Sequence, residues 1–544
     1  MCVASARATE AGLDNAPSVG PDVRRAMRRV RTEGIREHVR YLADDKLEGR
    51  DTASPGGTLA ARYLASQLEQ FGVKPAGDRG TYFQQVPFVR TRLDAPASQL
   101  VLLTGDQPLI FEGGKDLLPN GPSGSASVGE SPVVFAGYGI SAPEFHYDDY
   151  EKLDVRGKLV VLLTGEPGSN DPAYFDGMKD TPHSSGVSKI ALARSRGARG
   201  VITVLAGPRA SRYPWDLVLK SQETPQFALP ASKDVMPAII VRSETAARLF
   251  KDAPKPWNEI EALATDGKVP TFALPYHARL DLKFSEEPAP APNVLGRLDG
   301  SDPALKKQVV VYTAHYDHVG RGTGEGDTIF NGAWDNASGT SEVLEIARGF
   351  AGLKRRPRRS VLFLFVTGEE KGLLGSEYYA AHPAVPIADT AADINLDMTD
   401  IFGLGKELVA QGAEHSTLMK ACEETAREMG LTLGKDPTPE LNVFTRSDQF
   451  SFAKVGVPCV FMRWSNNYED LDAATAKARS QEKLKTIYHK VGDEFDPTWN
   501  WDGMQRHAQS ALLIGLHVAN DTPLPSWNEG DPFNKPRKSA SPGS

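Results

Sequence analysis

Hydrophobic positions along this chain change period several times, and those changes outline its elements. Between 21 and 44 the spacing of Val23, Met27, Val30, Ile35, Val39 and Leu42 predicts one or two helices. Turns follow at Glu48-Gly49-Arg50 and Pro55-Gly56-Gly57. Thr58 is expected to cap a helix through Phe71, with Ala61, Leu64, Leu68 and Phe71 on one face and Gly72 as its stop. A strand is predicted over 82–89. Beyond Gly121 the texture becomes that of short strands, at 133–135, 158–163, 201–204 and 238–241, with one helix at 187–196. Pro288, Pro290 and Pro292 make a stiff extended connector. Strands then alternate with helices: strand 308–313, helix 338–350, strand 360–366, helix 375–382, strand 393–397, helix 416–429, strand 459–462 and helix 502–518. That alternation predicts an α/β fold, a mostly parallel mixed sheet covered by helices on both faces, with a β-rich module inserted.

Composition narrows the function classes. At 544 residues the chain is too long for one ordinary core. The expected organisation is a disordered start at 1–20, a first part of the main domain at 21–120, the inserted module at 121–285, the main α/β domain at 286–524 and a loose tail at 525–544. A net charge of -8 with no long basic block argues against a general nucleic-acid binder. The cluster Arg355, Arg356, Arg358 and Arg359 reads as a solvated helix end. The 3 cysteines, Cys2, Cys422 and Cys459, form no C-x-x-C pair, so any metal must rely on His and carboxylates. No apolar run has the length of a membrane span. The first thirty residues hold Arg24, Arg25, Arg28 and Arg29 but no apolar h-region, so no signal peptide is visible. Cys2 alone is weak evidence for a lipidation site.

Candidate chemistry lies at the C-terminal ends of predicted strands, where ligands collect in open α/β sheets. The run 309–313 delivers His315 and Asp317. A Gly-rich loop leads to Asp335, just before Asn336-Ala337-Ser338-Gly339. The strand 360–366 runs into Thr367-Gly368-Glu369-Glu370, where alternation sends the two acids in different directions. Asp397 ends another strand, and Tyr488-His489 lies in a loop with Asp493 and Asp496 behind it. Taken singly, an acid pair is ordinarily a solvated helix start and a lone His a structural hydrogen bonder. Acids repeated at strand ends and bracketed by two His instead fit a divalent metal, zinc before cobalt or manganese, which the same donors admit.

The order H-x-D, D-N-x-S-G, G-E-E, N-x-D and Y-H resembles the di-zinc aminopeptidase family, which includes bacterial leucyl aminopeptidases, glutamate carboxypeptidase and the catalytically dead transferrin receptor. SDQFSFAKVGVP at 447–458, LEGRDTASPGG and GVKPAGDRGTYFQQV are similar to the same family. VFAGYGI, YDDYEKLDVRGKLVVLL and KIALARSRGARGVITV resemble the protease-associated (PA) domain, a module without catalytic residues of its own; His146 and His183 are given surface roles there. The resemblance implies a zinc exopeptidase fold with two Zn²⁺ per chain. It makes Asp335 the bridging carboxylate, His315 and Asp397 the partners of one metal, and Glu370 and His489 those of the other. Glu369 would be the general base and Asp317 would orient His315. Tyr488 would contact the oxyanion or substrate, or simply pack. His318 matches no family ligand and is expected not to coordinate. The peptide bond after Asp335 is expected to be cis. About 55 residues follow His489, too few for the helical domain of the carboxypeptidase relatives, which favours an aminopeptidase acting on peptides with a free N-terminus. The rival readings are a single-zinc glutaminyl cyclase-like enzyme and an inactive receptor-like binding protein. Family habit implies a periplasmic or secreted location.

Overall fold

The computed structural model describes residues 19–537 apart from 106, 121–123, 169–170, 172, 176, 178–180, 207–214, 216–217, 220–225, 231–235, 266 and 268. Cys2 and the expected disordered start up to residue 18 lie outside the described residues. The chain divides into two units, one formed by Met1–Pro87 with Pro290–Ser544 and the other by Phe88–Ala289.

The first unit is built on a mixed sheet. Its principal strands are β1 (Ala291–Leu298), β2 (Val309–His315), β3 (Ser360–Val366), β4 (Thr390–Asn395), β5 (Glu407–Gln411) and β6 (Cys459–Trp464). Their order is β1-β3-β2-β4-β6-β5, with β3, β2, β4 and β6 parallel and the flanking β1 and β5 antiparallel to their neighbours. Every residue of β2 is buried. Val310, Tyr312 and Ala314 pack into one apolar cluster, while Val309 and Val311 pack into another across the sheet. Two covered faces explain the unbroken β-branched run, and each buried valine contributes about 1.5–3 kcal/mol. The expected α/β architecture, with helices on both faces, is therefore the one observed.

The helices on the larger face are Pro21–Arg29, Thr32–Leu42, Pro55–Gln70, Ser338–Ala351 and Trp501–Asn520. The first two are separate because Val30 and Arg31 are extended. The third starts earlier than expected: Pro55 is its first residue, and Ser54, not Thr58, caps it by accepting from the Gly57 N–H at 2.9 Å. The predicted strand 82–89 is two strands, Phe83–Val86 and Val89–Leu93, interrupted at Pro87. Helix Ala473–Thr486 was not predicted; only Ala476 of it is buried, so it carries little apolar periodicity.

Three further expectations are corrected. Arg359 is fully buried, not solvated, and donates to the carbonyls of Val518 at 2.7 Å and Asp521 at 2.6 Å. Residues 525–537 are not loose: Trp527 is buried, and Arg537 donates to Thr390 O at 2.6 Å. The inserted unit begins at Phe88 rather than near 121, because residues of 88–120 pair within it.

In that second unit Thr271–Leu282 pairs antiparallel with both Gln99–Leu103 and Ala126–Ala136. Ala126–Ala136, Leu159–Leu163, Gly200–Leu205 and Ala238–Arg242 then run parallel in that order. Val89–Leu93 pairs with Phe284–Pro288, which closes the unit at its two chain crossings. His146 is exposed, and His183 Nε2 meets Glu144 Oε1 at 2.6 Å. Among the described residues no helix is long and apolar enough to cross a membrane.

Candidate metal centre

Loops at the C-terminal ends of β2, β3 and β4, together with the turn after helix Ala473–Thr486, bring the candidate donors together. His315 is the last residue of β2, and its main chain is held by Thr340 Oγ1, which donates to His315 O at 2.7 Å. Asp335 sits just before helix Ser338–Ala351, and the Asp335–Asn336 peptide bond is cis. Asn336 locks this turn: its Oδ1 accepts from Gly339 N at 2.9 Å and Met398 N at 3.2 Å, while its Nδ2 donates to Leu396 O at 3.0 Å. A Cβ at Gly339 would lie 2.2 Å from Leu396 O, so only glycine lets the helix start this close to the end of β4.

The donors form two groups that share Asp335: His315, Asp335 and Asp397; and His318, Asp335, Glu370 and His489. Within each group one donor atom per residue lies within 4.8 Å of the others. His315 Nε2 is 3.2 Å from Asp397 Oδ1 and 3.3 Å from Asp335 Oδ1. His489 Nε2 is 3.1 Å from both Asp335 Oδ2 and Glu370 Oε2. His489 holds this position with a φ of 51°, unusual for a residue with a side chain. Glu369 belongs to neither group. Its Oε2 stands 3.9 Å from His315 Nε2, and its main-chain N–H donates to Asp317 Oδ1 at 3.3 Å.

One detail differs from expectation. His315 Nδ1 meets the main-chain carbonyl of Asp317 at 3.2 Å, whereas the Asp317 carboxylate is 3.9 Å away and accepts from Thr52 Oγ1 at 2.9 Å. The backbone of Asp317, not its side chain, therefore fixes the His315 tautomer. His318, expected not to coordinate, is fully buried among the donors, with Nδ1 2.7 Å from Glu370 Oε1. Its Nε2 has no hydrogen-bond partner among the described residues.

Electrostatics fit a cation. With Nδ1–H committed to a carbonyl, the neutral His315 ring turns the Nε2 lone pair toward two carboxylates, an arrangement that a metal ion satisfies. Without one the ring must be protonated: burial opposes its charge, but Glu369 and Asp397 hold its pKa well above the usual imidazole range. His489 behaves alike, burial working against it while hydrogen bonds to Asp335 and Glu370 lift it to about 10. Burial raises Glu370, yet its bonds from His318 and His489 bring it down to about 2. Glu369 lacks such bonds, and burial with the charges of Asp397 and Glu370 pushes its carboxyl well above the ordinary range. Five carboxylates (Asp317, Asp335, Glu369, Glu370, Asp397) outnumber the three imidazoles (His315, His318, His489) gathered here.

Residues outside the predicted set brace the centre. Arg50 is fully buried, and its guanidinium donates to the carbonyls of Leu42, Tyr316, Asn331 and Gly332. Burial lowers its pKa only to about 10, against the pull of Asp493 and Asp317, so it remains charged. Asp493 accepts from Trp334 N at 2.8 Å and Asp335 N at 3.1 Å. Ser447 Oγ donates to Asp397 Oδ2 at 2.6 Å, and Asn395 Nδ2 donates to that Ser447 oxygen at 2.9 Å. Arg50 and Ser447 lie in two of the family-like segments, LEGRDTASPGG and SDQFSFAKVGVP, but nothing in one sequence assigned them these contacts. Tyr488 stacks on His489 with ring centroids 4.0 Å apart, and burial keeps its hydroxyl protonated.

Residues 293–514 match the model of peptidase family M28. A vacuolar membrane protease of Verticillium alfalfae is 32% identical over 211 residues, covering 38% of this chain and 17% of that protein. A Leptosphaeria maculans protein named Probable zinc metalloprotease is 40% identical over 88 residues, covering 16% of this chain and 20% of that protein. The chain thus spans no more than about a fifth of the length of these two relatives. An aminopeptidase from Aneurinibacillus sp. strain AM-1 shares the fold at 18% identity and a TM-score of 0.50, covering 92% of this chain and 97% of that one. The donor groups sharing Asp335 therefore lie within the stretch that matches the model of peptidase family M28.

Proposed function

We propose that the protein is a zinc-dependent aminopeptidase, binding two Zn²⁺ and removing N-terminal residues from peptides. The observation that carries this reading is the pair of donor groups sharing Asp335, with Glu369 beside them and outside both. His315, Asp335 and Asp397 would hold one ion, and Asp335, Glu370 and His489 the other. Zinc bound there supplies Lewis acidity toward the scissile carbonyl and lowers the pKa of the attacking water. Glu369 accepts the proton of that water at its carboxylate and delivers it to the leaving amine. Tyr488 donates its hydroxyl hydrogen to the developing oxyanion. Arg50 and Asn336 keep the donor loops in place, and Asp317 holds His315 through its carbonyl. The names of the relatives, a zinc metalloprotease and an aminopeptidase, support the metal and the direction of attack. The same proposal takes the unit Phe88–Ala289 as a PA module, since the segments carrying that resemblance run through its strands.

The test is zinc content per chain together with hydrolysis of a panel of aminoacyl-anilides before and after chelation. About two zincs per chain, with cleavage lost on chelation and restored by zinc, is the expected result. One zinc without anilide cleavage would point to the cyclase chemistry instead, and no metal or activity after zinc addition would leave a binding protein.

A further inference from the structure

Beside the donor groups lies a cavity of about 300 Å³ whose wall includes Asp335, Glu369 and Asp397. On the proposed aminopeptidase reading, a group filling this cavity lies next to the bond under attack. Leu441, Val443, Phe461 and Leu484 make much of the wall apolar, yet two arginines, Arg446 and Arg463, also line it. The two are not equivalent. Arg463 donates to Thr438 Oγ1 at 3.1 Å and lies 3.7 Å from Asp436 Oδ1, so its charge is already met. Arg446 makes one long bond, 3.5 Å to Leu441 O, and has no carboxylate partner among the described residues. Its neighbour in sequence, Ser447, is anchored to Asp397, which fixes the Arg446 main chain relative to the metal donors. An accessible guanidinium with most of its five N–H groups unused, bordering an apolar wall, favours an anion. A purely apolar group would leave those donors to water, and a cationic side chain would be repelled.

We propose that Arg446 binds a substrate carboxylate carried on a short apolar stem by one of the two residues flanking the scissile bond. Two sources present that chemistry: the acidic side chain of the N-terminal residue, or the α-carboxylate of a dipeptide.

The zinc-loaded chain and its Arg446→Met and Arg446→Lys variants are assayed with Glu- and Gln-anilide, and with Leu-Leu and Leu-Leu-amide. Binding of glutamic acid amide and of glutamine amide is measured by calorimetry on the same proteins. If the carboxylate is the side chain, the native protein prefers Glu over Gln in kcat/KM and in binding by at least about tenfold, Arg446→Met abolishes the preference and Arg446→Lys restores part of it. If it is the α-carboxylate, the same pattern appears in the Leu-Leu to Leu-Leu-amide ratio. Leu-anilide cleavage with neither ratio dependent on Arg446 would overturn the proposal. Should Leu-anilide not be cleaved at all, the aminopeptidase reading fails, and an Arg446-independent binding ratio would sink this inference separately.

Discussion

At the scale of residues, the centre separates two adjacent acids by what touches them. Glu370 takes hydrogen bonds from two imidazoles and is held ionised, whereas Glu369 has burial and like charge against it. Glu369→Gln should therefore retain the zinc content of the native protein, because Glu369 is in neither donor group, yet lose about 10²–10⁴-fold in kcat. A variant that loses zinc as well would show Glu369 to be a ligand, and unchanged turnover would remove it as the proton carrier. The predicted candidates His315, Asp335, Glu369, Glu370, Asp397, Tyr488 and His489 all converge. Their residue types and order were legible because metal donors are chemically few. The contacts of His318 and Arg50 were not, since each depends on partners distant in sequence.

At the scale of elements, the strands were the most legible part. β2 and β3 are continuous apolar runs because both their faces are covered, and Ser360–Val366 was predicted with its observed bounds. Helix Ala473–Thr486 was not legible because a mostly solvated helix leaves no hydrophobic stripe. Hydrogen-bonded turns are equally invisible. In the inserted unit, the short strands Ser141–Ala142 and Tyr147–Asp148 are joined through Asp149, which accepts from Ile140 N at 3.0 Å and Tyr147 Oη at 2.8 Å. Burial pushes the Asp149 carboxyl up to about 6, beyond what those bonds offset. A folded pKa above the unfolded one means that the native state binds the proton more tightly. The stability this contributes is full below about pH 4 and is lost as pH rises through about 6. Denaturant unfolding should therefore show the native protein losing about 3 kcal/mol relative to Asp149→Asn between pH 4 and 7. A difference between the two proteins that does not change with pH would contradict the raised pKa.

At the scale of the whole molecule, the insertion interrupts the first unit at one well-defined place. Phe83–Val86 and β1 are antiparallel partners, with Val86 opposite Ala291, so the chain leaves and re-enters the sheet at adjacent positions. Ala289 N donates to Phe88 O at 2.8 Å just beyond that point. Replacing residues 87–290 by a two-residue Asn-Gly turn should therefore close an ordinary hairpin. The shortened chain is expected to unfold cooperatively and to bind the same amount of zinc as the full chain. An insoluble or zinc-free product would mean that the first unit needs the insertion to fold.

The sequence by itself determined the α/β class, the run of parallel strands and the residue types that gather around Asp335. Each of these is written in local periodicity or in a chemically restricted residue type. Only the tertiary structure decided that Phe88 begins the insertion, that the tail at 525–537 packs, that the Asp317 carbonyl rather than its carboxylate holds His315, and that Arg446 alone of two lining arginines lacks a carboxylate among the described residues. These are pairings between distant segments. Local pattern specifies which face of a strand or helix is apolar, but the partner brought against it depends on the closing of the whole chain.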